Sequence, residues 1–72
     1  MGRVEIISEY WSDDGKLKAE VVNVDSGERE WGTDMVYFYA DGKFVGSESY
    51  DNHSLDYLES AAENYVLGIK RL

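Results

Sequence analysis

Apolar and polar side chains alternate along the first part of the chain, which is the pattern of strands with one buried face. The segment RVEIISEYW places Val4, Ile6, Ser8 and Tyr10 on one side and Glu5, Ile7, Glu9 and Trp11 on the other. The turn SDDG follows, and the segment KLKAEVVNV, residues 16–24, then alternates in the same way. These two segments predict a first β-hairpin.

The second predicted hairpin departs from simple alternation. Its first strand, residues 30–40, ends in the run MVYFYA, in which bulky residues occupy consecutive positions. Asp41 and Gly42 are typical of a two-residue type I′ turn. A tight turn would pair Tyr39 with Phe44 and Phe38 with Val45, and the fourth strand is expected to end near Tyr50.

The period of the apolar residues changes at Ser54. Beyond it they fall three and four positions apart, at Leu55, Leu58, Ala61, Ala62, Tyr65, Val66 and Ile69. Ser54 is a natural N-cap, Asp56 suits the first turn, and Gly68 is expected to end the helix. The sequence therefore predicts a single α+β domain over residues 1–72, a four-stranded antiparallel β-meander followed by one C-terminal helix packed on one face of the sheet.

A single helix covers only one face of a sheet, so the second face needs another explanation. The third strand points Met35, Tyr37 and Tyr39 one way and Val36, Phe38 and Ala40 the other. The pattern leaves open which set meets the helix. Pairing brings four aromatic side chains together, Tyr37, Tyr39, Phe44 and Tyr50. They form either the core beneath the helix or a surface that binds a second copy of the chain or another protein.

Composition favours a protein partner. The chain has 72 residues, no cysteine and one histidine, so its small core lacks disulfides and thiolate metal sites, and oligomerisation is the remaining way to stabilise it. Its formal net charge of -8 disfavours nucleic acids and anionic membranes and favours basic protein surfaces. The N-terminus lacks the apolar centre of a signal peptide, and no apolar run could span a membrane. We expect a soluble protein in the cytoplasm.

One acidic row stands out on the predicted helix. Asp56, Glu59 and Glu63 lie three and four residues apart and are expected on its outer face. Such a row is either simply solvated, or it imitates phosphates and occupies a basic groove of a partner protein.

No group of residues indicates a reaction. Asp51, His53 and Ser54 are too close in sequence to act as orienter, base and nucleophile, and they fit a helix entry better. The segment DSGERE, residues 25–30, lacks the ligand rhythm of a calcium loop. We therefore expect no catalytic residues, no metal and no cofactor, and a protein that is not an enzyme.

The segment SLDYLESAAENYVLGI, preceded by VYFYADGKFVGSESYDNH, resembles small uncharacterised proteins encoded by tailed phages of marine cyanobacteria. The resemblance covers residues 36–69, about half of the chain, and does not include the N-terminal hairpin. It implies a phage accessory protein that acts inside a host cell, and it assigns no chemistry and no functional residues.

These observations predict a non-enzymatic protein that acts by protein–protein interaction. Its open sheet face is expected to close either on a second copy of the chain, in a homodimer, or on a host protein, and its acidic surface would inhibit or redirect a host protein. The predicted contact residues are Tyr37, Tyr39, Phe44, Tyr50, Asp56, Glu59 and Glu63. The alternative is an oligomer that sequesters a small ligand between its subunits.

Overall fold

The fold is the predicted α+β meander. A computed structural model describes residues 3–25, 32–49 and 54–70. Four antiparallel strands follow one another in the order of the chain, and one helix comes last. The elements are β1 (Arg3–Trp11), β2 (Leu17–Asp25), β3 (Thr33–Ala40), β4 (Lys43–Ser49) and α1 (Leu55–Val66). Within the predicted third strand, residues 30 and 31 lie outside the described ranges, as does Tyr50.

The turn between β3 and β4 has the predicted type I′ backbone. Asp41 and Gly42 both have positive φ, at 53° and 80°. This left-handed geometry matches the twist of the flanking strands, and Asp and Gly tolerate it better than other residues do. The turn pairs Ala40 with Lys43 and Tyr39 with Phe44, as the sequence predicted.

The helix covers the sheet face that carries Val36 and Phe38. The core joins side chains of β2 and β3 to those of α1, namely Ala19, Val21, Val36, Phe38, Leu58, Ala62, Tyr65 and Val66. The Phe38 and Tyr65 rings lie 4.7 Å apart between centroids. The other set on β3, with Tyr37 and Tyr39, therefore points away from the helix.

Two β-bulges change the faces that simple alternation predicted. In β1, Ile6 pairs with Val22 and Ser8 with Val21, so Ile7 is the extra residue. Val4 and Ile6 consequently share a face with Trp11, and the predicted grouping of Val4 and Ile6 with Ser8 and Tyr10 is wrong. A bulge has this effect because an inserted residue shifts the alternation of every residue after it.

The second bulge lies in β4. Phe38 pairs with Gly46, so the predicted pairing of Phe38 with Val45 is wrong and Val45 is the extra residue. Gly46 has no side chain to place over the buried Phe38, and Phe44 remains opposite Tyr39. The aromatic pairing at the turn thus survives the shift.

The end of α1 is capped by its backbone. Leu67 N–H donates to Glu63 O at 3.0 Å, and Gly68 N–H donates to Tyr65 O at 3.1 Å. Gly68 has a φ of 82°, the left-handed conformation that ends many helices, which confirms its predicted role. Beyond this cap, Lys70 Nζ forms an ion pair with Glu48 Oε1 of β4 at 2.7 Å.

Candidate protein-binding site

The face of the sheet turned away from the helix, called the open face below, is mostly apolar and aromatic. Strand pairing places on it Val4, Ile6, Glu9, Trp11, Lys18, Glu20, Val22, Val24, Thr33, Met35, Tyr37, Tyr39, Phe44, Ser47 and Ser49. Several of its large side chains are half exposed, including Val4 at 52%, Ile6 at 50%, Trp11 at 56% and Phe44 at 57%. None of the described residues forms a second layer over this face.

Three of the four predicted aromatic contact residues form one group on the open face. Phe44 meets Tyr37 edge-on with ring centroids 5.5 Å apart, and it meets Tyr39 edge-on at 5.7 Å. Edge-to-face packing of this kind is the favoured arrangement of aromatic rings. The fourth predicted residue, Tyr50, lies outside the described residues. The group is therefore a preformed aromatic surface and not the core beneath the helix.

A polar cluster lies beside these rings. Glu20 is buried, with 6% of its surface exposed, and its two carboxylate oxygens have different partners. Tyr39 donates its hydroxyl hydrogen to Oε1 at 2.9 Å, and Lys18 Nζ lies 3.0 Å from Oε2. The Lys18 ammonium also lies over two rings, 4.9 Å from the centroid of Trp11 and 5.4 Å from that of Tyr39. The cluster thus holds one carboxylate and one ammonium in a satisfied, partly desolvated arrangement.

Sequence reasoning missed this cluster, although the signal was present. Lys18 and Glu20 are two residues apart on one strand and therefore point to the same face. Lys18 pairs with Trp11 on one side and Tyr39 on the other. Knowing those two registers would have placed a cation between two aromatic rings, but the register of β2 against β3 depends on the intervening loop.

Burial raises the pKa of Tyr39 to about 12, and the hydrogen bond and negative charge of Glu20 add to the effect. A phenolate there would lose its hydrogen bond and face a carboxylate. Tyr39 is therefore a hydrogen-bond donor throughout the neutral pH range.

The opposite end of the open face is aliphatic. Val22 is fully buried although it points away from α1. It lies between its cross-strand neighbours Ile6 of β1 and Met35 of β3, and Val4 and Val24 continue the surface. The open face thus has an aromatic end near the type I′ turn and an aliphatic end at the start of β1.

The predicted acidic row on α1 is divided. Asp56 and Glu63 are exposed, as expected. Glu59 is half buried, and its Oε1 accepts hydrogen bonds from Ser8 Oγ at 3.2 Å and Tyr10 OH at 3.1 Å. The expectation that Glu59 lies on the outer face is wrong, because the bulge in β1 turns Ser8 and Tyr10 towards the helix.

Burial and the contact with Glu59 together raise the pKa of the Tyr10 hydroxyl. Burial is the first cause that raises its pKa, followed by the hydrogen bond to Glu59 and the charges of Glu59 and Glu63. Glu59 therefore joins α1 to β1, and Asp56 and Glu63 remain as the free acidic positions of the row.

Charge is unevenly distributed over the described residues. On the open face the charged side chains are Glu9, Lys18 and Glu20, and the last two form an ion pair. The charged residues elsewhere are Arg3, Glu5, Asp13, Asp14, Lys16, Asp25, Asp34, Asp41, Lys43, Glu48, Asp56, Glu59, Glu63 and Lys70. Ten of these are acidic and four are basic, so the negative charge lies mainly away from the open face.

A cleft of about 320 Å³ lies between the β1–β2 turn and the end of α1. It is lined by Trp11, Ser12, Asp13, Asp14, Leu17, Val66, Leu67 and Gly68. Its Ser12 and Asp14 side chains stabilise the turn: Ser12 Oγ donates to Asp14 Oδ1 at 2.6 Å and accepts from Leu17 N–H at 2.9 Å. The hydrogen bond from Ser12 is the first cause that lowers the pKa of the Asp14 carboxyl.

The groups considered for chemistry give no further site in the described part of the chain. Residues 3–25, 32–49 and 54–70 contain no group of three or more His, Cys, Asp or Glu side chains placed to hold a metal ion. No helix in these ranges has the length and apolar character to cross a membrane. Asp51, His53 and most of the segment DSGERE lie outside them.

Comparison of the chain with protein-family models, with curated proteins and with solved structures finds no match. The resemblance of residues 36–69 to phage proteins stays a prediction.

Proposed function

We propose that this protein is a non-enzymatic interaction protein that binds other protein surfaces through its open face and through its acidic outer surface. The proposal includes a phage-type accessory role in the cytoplasm of a host cell, where the chain would inhibit or redirect a host protein. The support for that setting is the resemblance of residues 36–69 stated above.

The open face is the observation that carries the proposal. Soluble single chains rarely expose large contiguous apolar patches, and such patches commonly mark interaction sites. Tyrosine and tryptophan are enriched in protein interfaces because they provide large contact areas with few rotatable bonds. Tyr37, Tyr39 and Phe44 are already packed together, so binding would cost little side-chain ordering.

The acidic outer surface suits a partner of opposite charge. Asp56 and Glu63 are the exposed acidic residues of the helical row on α1. A field of this sign accelerates encounter with a basic protein surface and repels nucleic acid and anionic membrane. A host protein bound here is expected to have a lysine-rich or arginine-rich groove.

Affinity capture from a host lysate tests both surfaces with matched variants. Tyr37→Asp alters the open face. The double variant Asp56→Asn with Glu63→Gln removes two charges from the helix, and Asp13→Asn with Asp41→Asn removes two charges from turns as its control. We expect the wild type to capture one host protein in stoichiometric amount. The helix variant should capture at least tenfold less of it than the turn variant does, and raising the salt concentration should release it.

Two results would contradict the proposal. The first is that the wild type, the open-face variant and the helix variant all capture the same amount of host protein. The second is a tightly held nucleotide or metabolite, found by mass spectrometry of the purified protein in place of a protein partner. That result would favour the oligomer that sequesters a small ligand between its subunits.

A further inference from the structure

We infer that a second copy of this chain occupies the open face in a symmetric, face-to-face dimer. The inference rests on the proposed function, since it names the protein that binds a surface already proposed to bind protein.

The charge distribution selects the open face for self-association. Two chains of net charge -8 repel each other, and the repulsion is smallest where the approaching surfaces carry the least charge. On the open face Lys18 neutralises Glu20, which leaves Glu9 as its other charged side chain among the described residues. A basic partner would gain little from such a surface and would prefer the acidic side that carries Asp56 and Glu63. A second copy is thus the better match.

The area is sufficient for a small dimer. The face is four strands wide, and its strands have seven to nine residues. With spacings of about 4.8 Å between strands and about 3.3 Å along them, it measures roughly 19 by 25 Å. Two such faces in contact bury roughly 950 Å² in projection. Side-chain relief raises the accessible area towards the range of about 1,200–2,000 Å² that is typical of stable interfaces.

Two charged groups near the middle of the face, Glu20 and Lys18, are prepared for burial. Both oxygens of Glu20 already have partners in the same chain, Tyr39 and Lys18. The Lys18 ammonium lies against this carboxylate and over the rings of Trp11 and Tyr39, and 24% of its side chain is still exposed. Covering the cluster with a second sheet therefore leaves no carboxylate oxygen of Glu20 unpaired, which is the usual obstacle to burying a charged residue.

A symmetric dimer gives the open face and the acidic surface of α1 separate roles. A two-fold contact places the same patch on both sides of the interface, so the open faces of both chains are covered at once. The two helices lie on the outside of the dimer, with Asp56 and Glu63 of each chain exposed. The dimer thus presents its acidic surfaces to a basic partner and covers both open faces, while Leu67 and Ile69 beyond α1 stay exposed.

Sedimentation equilibrium from one to a hundred micromolar tests the inference. The wild type should reach twice the 8.2 kDa mass of one chain. Tyr37→Asp and Phe44→Asp each place a charge in the interface and should weaken dimerisation by roughly thirtyfold or more. Ser60→Asp adds the same charge to the exposed side of α1 and should leave the dimer intact. Because the face is nearly neutral, raising the salt concentration should not dissociate the dimer.

Circular dichroism selects the variants that have kept their fold, and Phe44→Asp is expected to pass because the Phe44 side chain is already 57% exposed.

A wild type that remains a single chain at a hundred micromolar overturns the inference. If the capture of a host protein by that single chain is lost in Tyr37→Asp, the proposed function stands without the dimer. If no capture depends on Tyr37 or on the acidic residues of α1, both fail. A dimer that Ser60→Asp disrupts and Phe44→Asp does not would place the contact on the helix and also overturn the inference.

Discussion

At the scale of single residues, the Tyr39 hydroxyl has more structural importance than its partly exposed position suggests. It donates to a buried carboxylate, Glu20, while its backbone carbonyl accepts a hydrogen bond from Tyr65 OH at 3.1 Å. Tyr39 thus links the open face to the core beneath the helix. Tyr37, two residues away on the same face, packs on Phe44, as the Tyr39 ring does.

The substitution Tyr39→Phe should therefore destabilise the protein. It leaves one oxygen of buried Glu20 without its donor, which costs about 1–3 kcal/mol. Tyr37→Phe is the control, since it removes a hydroxyl from the same face and keeps the ring contact with Phe44. Urea unfolding followed by circular dichroism measures both variants. Equal losses of unfolding free energy would show that the bond to Glu20 does not contribute.

Alkaline pH should also destabilise the fold. Burial raises the pKa of Tyr10, Tyr39 and Tyr65 above the ordinary value of 10.0, and that of Tyr39 reaches about 12. A raised pKa means that the folded state holds the proton more tightly than the unfolded state. The stabilisation is complete below pH 10 and is lost as pH rises through the folded values. Unfolding free energies measured from pH 8 to pH 12 should fall, and Tyr39→Phe should fall less steeply.

At the scale of elements, the sequence predicted each strand and the helix because each has a strong local signal. The type I′ turn at Asp41 and Gly42 and the helical spacing after Ser54 are properties of neighbouring residues. The two bulges could not be predicted, since Ile7 and Val45 differ in no local way from the residues around them. The position of a bulge also depends on how the paired strands fit the layer that packs on them, here α1, which contacts Ser8, Tyr10 and Phe38.

In the candidate site, too, the sequence predicted features that depend on neighbouring residues and not those that depend on tertiary packing. The contact between Tyr39 and Phe44 followed from the turn alone, and it is present. The position of Glu59 was wrong because it depends on the bulge in β1. The sequence also left open which face of β3 meets the helix. One face carries Val36 and Phe38 and the other carries Tyr37 and Tyr39, and both pairs have large side chains that could form a core. Tertiary packing settles the choice in favour of the set without hydroxyl groups.

One pair of substitutions separates the two faces of β3. Phe38→Asp buries a charge in a fully enclosed position between β2 and α1. The lost packing alone costs about 3–5 kcal/mol, comparable with a total stability of roughly 5 kcal/mol, so the chain should unfold. Tyr37→Asp places the same charge on the open face and should keep the far-ultraviolet circular dichroism of the wild type. Unfolding of both variants to the same extent would contradict the assignment of the faces.

At the scale of the whole molecule, most of the charged side chains in the described residues lie away from the open face. Exposed apolar side chains lie on both sides of the sheet, with Trp11 and Phe44 on the open face and Leu67 and Ile69 just beyond α1. A chain of 72 residues without cysteine has a small core, and covering the open face adds apolar burial that the single chain lacks. The distribution of charge is one basis of the proposal that the open face is the surface that associates.

Isotope-filtered nuclear Overhauser spectroscopy on a mixed sample of labelled and unlabelled chains tests the central claim most directly, because it reports only contacts between copies. The account predicts intermolecular contacts that involve open-face side chains such as Trp11, Met35 and Phe44, and none that involve Leu58 or Ala62. Intermolecular contacts confined to α1, or a complete absence of such contacts at a hundred micromolar, would contradict it.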